Sequence, residues 1–255
     1  MIRGPIIAID GPAGAGKSTV ARHLAQHYGL LNLETGAMYR AFALKAIMSD
    51  QDFDDSAALE RLARDTDITL VPDRTGNRVY LDGTDVTERI RDSDVTQGAS
   101  RVSVHPAIRV WMVDLQRDLG RPGSVVMEGR DIGTVVFPDA DVKVFLDASP
   151  EARSQRRYEQ NTGTKERFSA VSPYERNYGP GGEPRPVSAS EQSAVSQELH
   201  ERDERDRNRA TSPLRPAPDA IVIDSTNLSL DQVLARIDEL VTPVLVHRGP
   251  TEQVG

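Results

Sequence analysis

Apolar residues come in short, unbroken runs separated by helical patterns. Pro5–Ile9 has no polar position until Asp10-Gly11-Pro12 closes it, which predicts a strand buried on both faces. Ser18–Tyr28 has helical periodicity and Gly29 as its stop. Leu30–Leu33 is a second short strand, followed by a helix from about Ala37 to Met48. Val125–Met127, Val142–Leu146 and Ala220–Ile223 repeat the branched-residue signature, with helices predicted over Pro106–Leu119, Pro150–Gln160 and Leu230–Val241. Strands alternating with helices pair in parallel, so the pattern predicts a doubly wound α/β fold with a parallel five-stranded sheet.

Two regions break the rhythm. Ile68–Val71, the turn Asp73–Asn77 and Arg78–Leu81 read as an antiparallel hairpin, and residues of about 53–100 as a subdomain inserted into the α/β core. Asn161–Ser190 is rich in Gly, Pro and Ser; Gly179-Pro180-Gly181-Gly182 and Pro184-Arg185-Pro186 continue neither a helix nor a central strand. A structureless stretch of that length is a lid or disordered. The last residues, from about His247, read as a frayed tail. Trp111 is expected in the core, and the five histidines show no metal-ligand spacing.

Composition narrows the classes. The 255 residues suit one large domain or one with an insert, and the absence of cysteine removes disulfides, thiolate metal sites and cysteine nucleophiles. A net charge of −8 disfavours non-specific nucleic-acid binding. No apolar stretch reaches the length of a membrane helix, and no export signal is read at the start, so a soluble cytoplasmic protein is expected. Of 31 basic residues only Lys17, Lys45, Lys143 and Lys165 are lysines. Codon bias accounts for such an excess of arginine, as does a fork-shaped anion site.

Gly11-Pro12-Ala13-Gly14-Ala15-Gly16-Lys17-Ser18 satisfies the G-x-x-x-x-G-K-[ST] pattern between a predicted strand and a predicted helix. Glycines let successive N–H groups wrap a phosphate, and the helix start adds a positive field. Lys17 is expected on the β- and γ-phosphates, the Ser18 hydroxyl on Mg²⁺, and Gly11 to Thr19 around ATP or GTP. A GTPase switch would need N-K-x-D, and no lysine here follows asparagine.

A kinase acting on a hydroxyl usually needs a carboxylate base, whereas an acceptor that is already a phosphate is dianionic and needs neutralisation, which suits converging arginines. Arg153, Arg156 and Arg157 lie before the Gly/Pro-rich segment; Arg202, Arg205, Arg207 and Arg209 lie after it. Arg202, Arg205 and Arg209 share one face of a predicted helix, which a solvated Arg–Asp helix would also produce. Arg40 and Arg130 follow strand ends, where open α/β sheets bind ligands.

These residues resemble the bacterial cytidylate kinases, a nucleoside monophosphate kinase family. The resemblance rests on Ile9–Ser18, Thr35-Gly-Ala-Met-Tyr-Arg40, Gly129–Pro138, Val144–Ser149 and Arg202–Arg209, in the family's order. It implies transfer of the γ-phosphoryl group of ATP to CMP or dCMP with Mg²⁺, by a core (1–52, 101–156 and 210–245), an inserted CMP-binding subdomain (about 53–100) and an extended lid (about 157–209). It further implies that Arg40, Arg130 and Arg209 hold the CMP phosphate, that Ser100, Arg109 and Asp131 read cytosine, and that Arg202 and Asp206 meet the sugar, with Thr35 and Tyr39 completing the substrate site. Lys17, Arg130, Arg153, Arg157 and Arg209 are the expected catalytic set, Arg153 and Arg157 being brought over the transferring group by the lid. No nucleic-acid or membrane partner is expected, and the chain is expected to act as a monomer. A carboxylate at 131 accepts from the cytosine amino group and opposes the uracil carbonyl, a preference of roughly 1–3 kcal/mol. A kinase for UMP or dTMP and a nucleotide-binding regulator without turnover are the alternative readings.

Overall fold

The computed structural model describes residues 3–73, 76–162 and 189–248. Within them, β1 (Ile6–Asp10), β2 (Leu31–Glu34), β6 (Val125–Glu128), β7 (Val142–Asp147) and β8 (Ile221–Asp224) form a parallel sheet in the order β2-β6-β1-β7-β8. Every residue of β1 is buried, as an unbroken apolar run requires of a central strand. The period of two divides its side chains between two cores. Ile7 and Ile9 face α1 (Lys17–Tyr28) and α8 (Leu230–Arg248); Ile6 and Ala8 face α2 (Thr35–Met48) and α5 (Pro106–Gly120).

All five strands end in an acidic residue: Asp10, Glu34, Glu128, Asp147 and Asp224. The carboxyl edge of the sheet, where the crevice of an open α/β fold lies, thus carries a row of carboxylates for the arginines to meet.

Residues 53–100 hold more structure than a hairpin. β3 (Ile68–Asp73), β4 (Gly76–Leu81) and β5 (Thr84–Asp85) form an antiparallel sheet in which Asp73 lies opposite Gly76, so the loop is shorter than the expected Asp73–Asn77 turn. Two helices, α3 (Ser56–Arg64) and α4 (Ser93–Val102), flank it. Asp55 caps α3 by accepting from the Ala58 N–H at 2.9 Å. Gly98 interrupts the pattern of α4 because a Cβ there would lie 2.6 Å from Phe53. Leu59, Leu70, Val79 and Ile90 join the core that contains Ile6, Met38 and Phe42, so this segment does not close a hydrophobic centre of its own.

Other boundaries shift for physical reasons. α2 starts at Thr35 rather than Ala37, because the Thr35 hydroxyl donates to the Glu128 carbonyl at 2.8 Å and ties the helix start to β6. α8 runs through Pro243 to Arg248, past the expected end at Val241 and into the expected tail, with Val244 and Leu245 still packed on the core. Trp111 is half-buried, edge-on to Phe42 at 5.2 Å. The helix before the Gly/Pro-rich segment is α6 (Pro150–Thr162), and the one after it is α7 (Ala189–Asn208). Most of the expected lid, residues 163–188, lies outside the described residues.

Candidate active site

The Gly11–Ser18 loop joins β1 to α1 and is shaped by glycines at positive φ. Gly11 sits at φ 145°, and a Cβ there would lie 2.0 Å from the Leu146 carbonyl oxygen; Gly14 sits at φ 79° against the backbone of Arg153. Gly16 caps α1 in the left-handed region, leaving the first N–H groups of the helix facing the loop. Lys17 is buried and folds its ammonium back onto the Pro12 carbonyl at 2.7 Å. Burial, and then the Arg130 charge, lower its pKa to about 7 against the opposing pull of Glu128. Ser18 and Thr19 are exposed beside it.

Two arginines support this loop rather than face into it. Arg153 is buried; its Nε donates to the Ala148 carbonyl at 3.0 Å and its Nη1 to the Ala13 carbonyl at 3.1 Å, with Asp203 of α7 at 2.5 Å. Arg156 donates to the Ser225 hydroxyl and carbonyl at 2.9 and 2.6 Å. The expectation that Arg153 reaches over a transferring group is therefore revised: its guanidinium is committed to loop carbonyls and a carboxylate. Of the α6 trio only Arg157 lines open space, in a cavity shared with Ala13, Gly14, Leu199 and Arg202. On α7, Arg202 and Arg205 are half-buried and Arg207 is exposed. Arg209 lies one residue past the helix and is buried.

On the other side of the carboxyl edge, a chain of alternating charges gathers residues far apart in sequence. Buried Arg109 pairs with Asp131 and lies over the Tyr39 ring at 5.6 Å. Arg209 approaches Asp131 at 4.0 Å and Asp206 at 3.5 Å, and Arg130 donates to Asp206 at 2.8 Å. Arg40 is held by Glu34 at 2.5 Å; burial works against the Glu34 charge, but Arg40 keeps its carboxyl below the ordinary value. Tyr39 Oη, Arg40 Nε, Ser100 Oγ, Arg109 Nε and Arg209 Nη2 are buried polar atoms without a hydrogen-bond partner among the described residues. Buried donors are normally satisfied. These five lie on residues expected to meet the substrate, and their unsatisfied polar atoms are open to a polar ligand.

The electrostatics point the same way. Burial, and then the charges of Arg130, Arg40 and Arg157 against the opposing pull of Asp206, lower the pKa of Arg202 to about 10. Arg130 and Arg202 also depress Lys17. One lysine and four arginines thus repel one another across the space between the loop and α7, with Glu34, Glu128 and Asp206 as the carboxylates beside them, and the excess of positive charge favours an anionic ligand. Burial, and then Glu34, raise the Glu128 carboxyl; it accepts from the Ser18 hydroxyl and leaves Oε1 unpartnered.

Of the expected substrate residues, Thr35, Tyr39 and Arg40 lie on α2, Ser100 on α4, Arg109 on α5, Arg130 and Asp131 in the turn after β6, Arg202 and Asp206 on α7, and Arg209 just past it. Sequence reasoning missed Asp10, Glu34, Glu128 and Asp203 as contributors, and expected of Arg156 a place among the converging arginines rather than its bonds to Ser225. Their signal was available only as acids closing short strands, and as charges on helices whose neighbours could not be read.

The cytidylate kinase family model matches residues 7–173 and 184–243, most of the chain. The chain belongs to the cytidylate kinase family. A cytidylate kinase of Solibacter usitatus is 47% identical over 236 residues, covering 92% of this chain and 91% of its own. One from Pelotomaculum thermopropionicum is 47% identical over 234 residues, covering 91% and 94%. One from Geobacillus kaustophilus is 45% identical over 235 residues, covering 92% and 95%. None of the helices among the described residues is long and apolar enough to cross a membrane.

Proposed function

We propose that this chain transfers the γ-phosphoryl group of ATP to CMP or dCMP, giving ADP and CDP or dCDP. Family membership supports the reaction. The observation that carries the site assignment is the convergence of Arg202, Arg130, Arg40 and Arg157 with Lys17, five cations beside the three carboxylates of Glu34, Glu128 and Asp206.

The donor phosphates lie in the Gly11–Thr19 loop, held by its N–H groups and by Lys17. The acceptor phosphate lies on Arg40, Arg130 and Arg209. Cytosine lies against Ser100, Arg109 and Asp131, and the sugar near Arg202 and Asp206. An acceptor phosphate oxygen forms the new bond to the γ-phosphorus while the bond to the β–γ bridging oxygen breaks and ADP leaves with those electrons. No side chain removes a proton, because the acceptor is already dianionic near neutral pH. The protein contributes alignment and permanent positive charge, Arg157 reaching the transferring group from α6.

The Ser18 hydroxyl and the free Oε1 of Glu128 are hard oxygen donors of the kind Mg²⁺ takes, alone or through water. When bound there with the nucleotide, Mg²⁺ supplies charge neutralisation on the phosphates. In this reading the core (1–52, 101–156 and 210–245), the insert (about 53–100) and the lid (about 157–209) are the working units of the reaction. The insert contributes Ser100 from α4, and the lid contributes Arg202 and Asp206 from α7 and Arg209 just past it.

Coupled ADP release with CMP, dCMP, UMP, dTMP and AMP tests this reading. CMP or dCMP should exceed UMP in kcat/KM by roughly 5–150-fold, the worth of one mispaired buried acceptor. Equal rates for UMP or dTMP would contradict the cytosine assignment, and ATP binding without turnover of any acceptor would make the chain a regulator.

A further inference from the structure

Asp10 closes β1, one residue before the phosphate loop, and its side chain is bonded to the backbone of the turn that follows Asp131. Its Oδ1 accepts from the Ile132 N–H and its Oδ2 from the Gly133 N–H, each at 2.8 Å. Both amides open the π-helical turn Ile132–Val136, immediately after Arg130 and Asp131. The Asp10 side chain is the attachment of that turn's first two N–H groups to the central strand. On the other side of Asp131, the Gly129 N–H donates to the Ile9 carbonyl at 3.0 Å. Residues 129–133 are therefore held to the end of β1 at both ends, with Arg130 and Asp131 between the two points.

From this geometry we infer that Asp10 is a positioning residue for acceptor recognition: its two carboxylate oxygens hold the 132–133 backbone so that Asp131 and Arg130 face the pocket in register with the phosphate loop. The inference rests on the proposed roles of Asp131 and Arg130 as readers of cytosine and phosphate. The site is demanding. Asp10 is buried, the Lys143 stem crowds Gly133 from behind, and a Cβ at 133 would meet Asp10 Oδ2 at 3.4 Å and Lys143 Cδ at 3.2 Å. An amide in place of the carboxylate offers one acceptor and turns an N–H₂ toward a backbone N–H. The turn must then shift, and shifts of the order of 1 Å at a recognition site cost up to about 100-fold in rate.

The test compares Asp10→Asn, Asp131→Asn and the double variant, each assayed with CMP and UMP at saturating ATP and with ATP at saturating CMP. Asp10→Asn should raise KM for CMP about tenfold and lower the CMP-over-UMP preference by a similar factor, with KM for ATP within about twofold. Because Asp10 acts through Asp131, adding Asp10→Asn to Asp131→Asn should leave the preference where Asp131→Asn alone put it. Gly133→Ala, whose Cβ would press on the Lys143 stem at 3.2 Å and so shift the amide that Asp10 holds, should lower the preference in the same direction if Asp10→Asn does not fold. An unchanged preference in Asp10→Asn or Gly133→Ala overturns the inference, as does an equal loss toward CMP and ATP. An unchanged preference in Asp131→Asn instead overturns the cytosine assignment beneath it.

Discussion

The donor loop and the acceptor pocket both serve phosphate, and they are built in opposite ways. The loop uses backbone: nine consecutive residues from Gly11 to Thr19, glycines at positive φ, a helix start and a single lysine. Its parts are adjacent in sequence, so they assemble when β1 and α1 form. The pocket uses side chains drawn from α2, α4, α5, the turn after β6 and the end of α7, spread from Thr35 to Arg209. Each of its arginines has a carboxylate nearby: Arg40 with Glu34, Arg109 with Asp131, Arg130 and Arg209 with Asp206. Buried guanidinium groups need such partners, and the partners also aim them. A contiguous anion site is set by backbone conformation, whereas a dispersed one depends on residues that never touch the ligand.

The largest effect is expected in the loop. Lys17→Ala should lower kcat by about 10³-fold or more while the melting curve stays near that of the parent chain, since only one carbonyl contact is lost. Proton uptake gives the same residue a second readout. With a pKa near 7 in the free protein, Lys17 is mostly neutral at pH 8. Bound phosphates favour its cation, so ATP binding at pH 8 should draw in close to one proton, and ATP affinity should fall as pH rises above 7. Calorimetry in buffers of different ionisation enthalpy measures this directly; an uptake that persists in Lys17→Ala would assign the proton elsewhere.

A smaller effect, on stability, separates support from contact. Arg153→Ala leaves buried Asp203 without its counter-charge and should cost about 3–5 kcal/mol in denaturant unfolding. Arg153→Met with Asp203→Leu should recover most of that loss. A stable Arg153→Ala protein with abolished turnover would return Arg153 to the transferring phosphate and make the two regions more alike than their contacts suggest.

The same contrast explains what was legible in the sequence. The loop declared itself through fixed spacing, and the five strands through short branched runs, with ends correct to within a residue or two. Helices α3 and α4 went unread because they are short and, in α4, Gly98 sits where Phe53 comes close. Arg153 and Arg157 could not be told apart by type or spacing: four residues apart on α6, one is locked under the loop and the other lines open space. Asp10 looked like the end of a strand, because its partners Ile132 and Gly133 lie far along the chain. The arginine excess mixes both origins. Arg61 and Arg64 sit on the last turn of α3, while Arg40, Arg109, Arg130, Arg202 and Arg209 are the ones to which the proposed reaction gives a role.

In the proposed site the ligand is held chiefly through a phosphate on prearranged arginines and secondarily through the base. Comparing the binding of CMP and cytidine by titration calorimetry, in the parent chain and in Arg130→Ala, tests this most directly. Removing the phosphate should weaken binding by about 100-fold in the parent chain, the worth of two charge-assisted contacts, and by far less in Arg130→Ala. Equal affinity for cytidine and CMP in the parent chain would contradict it.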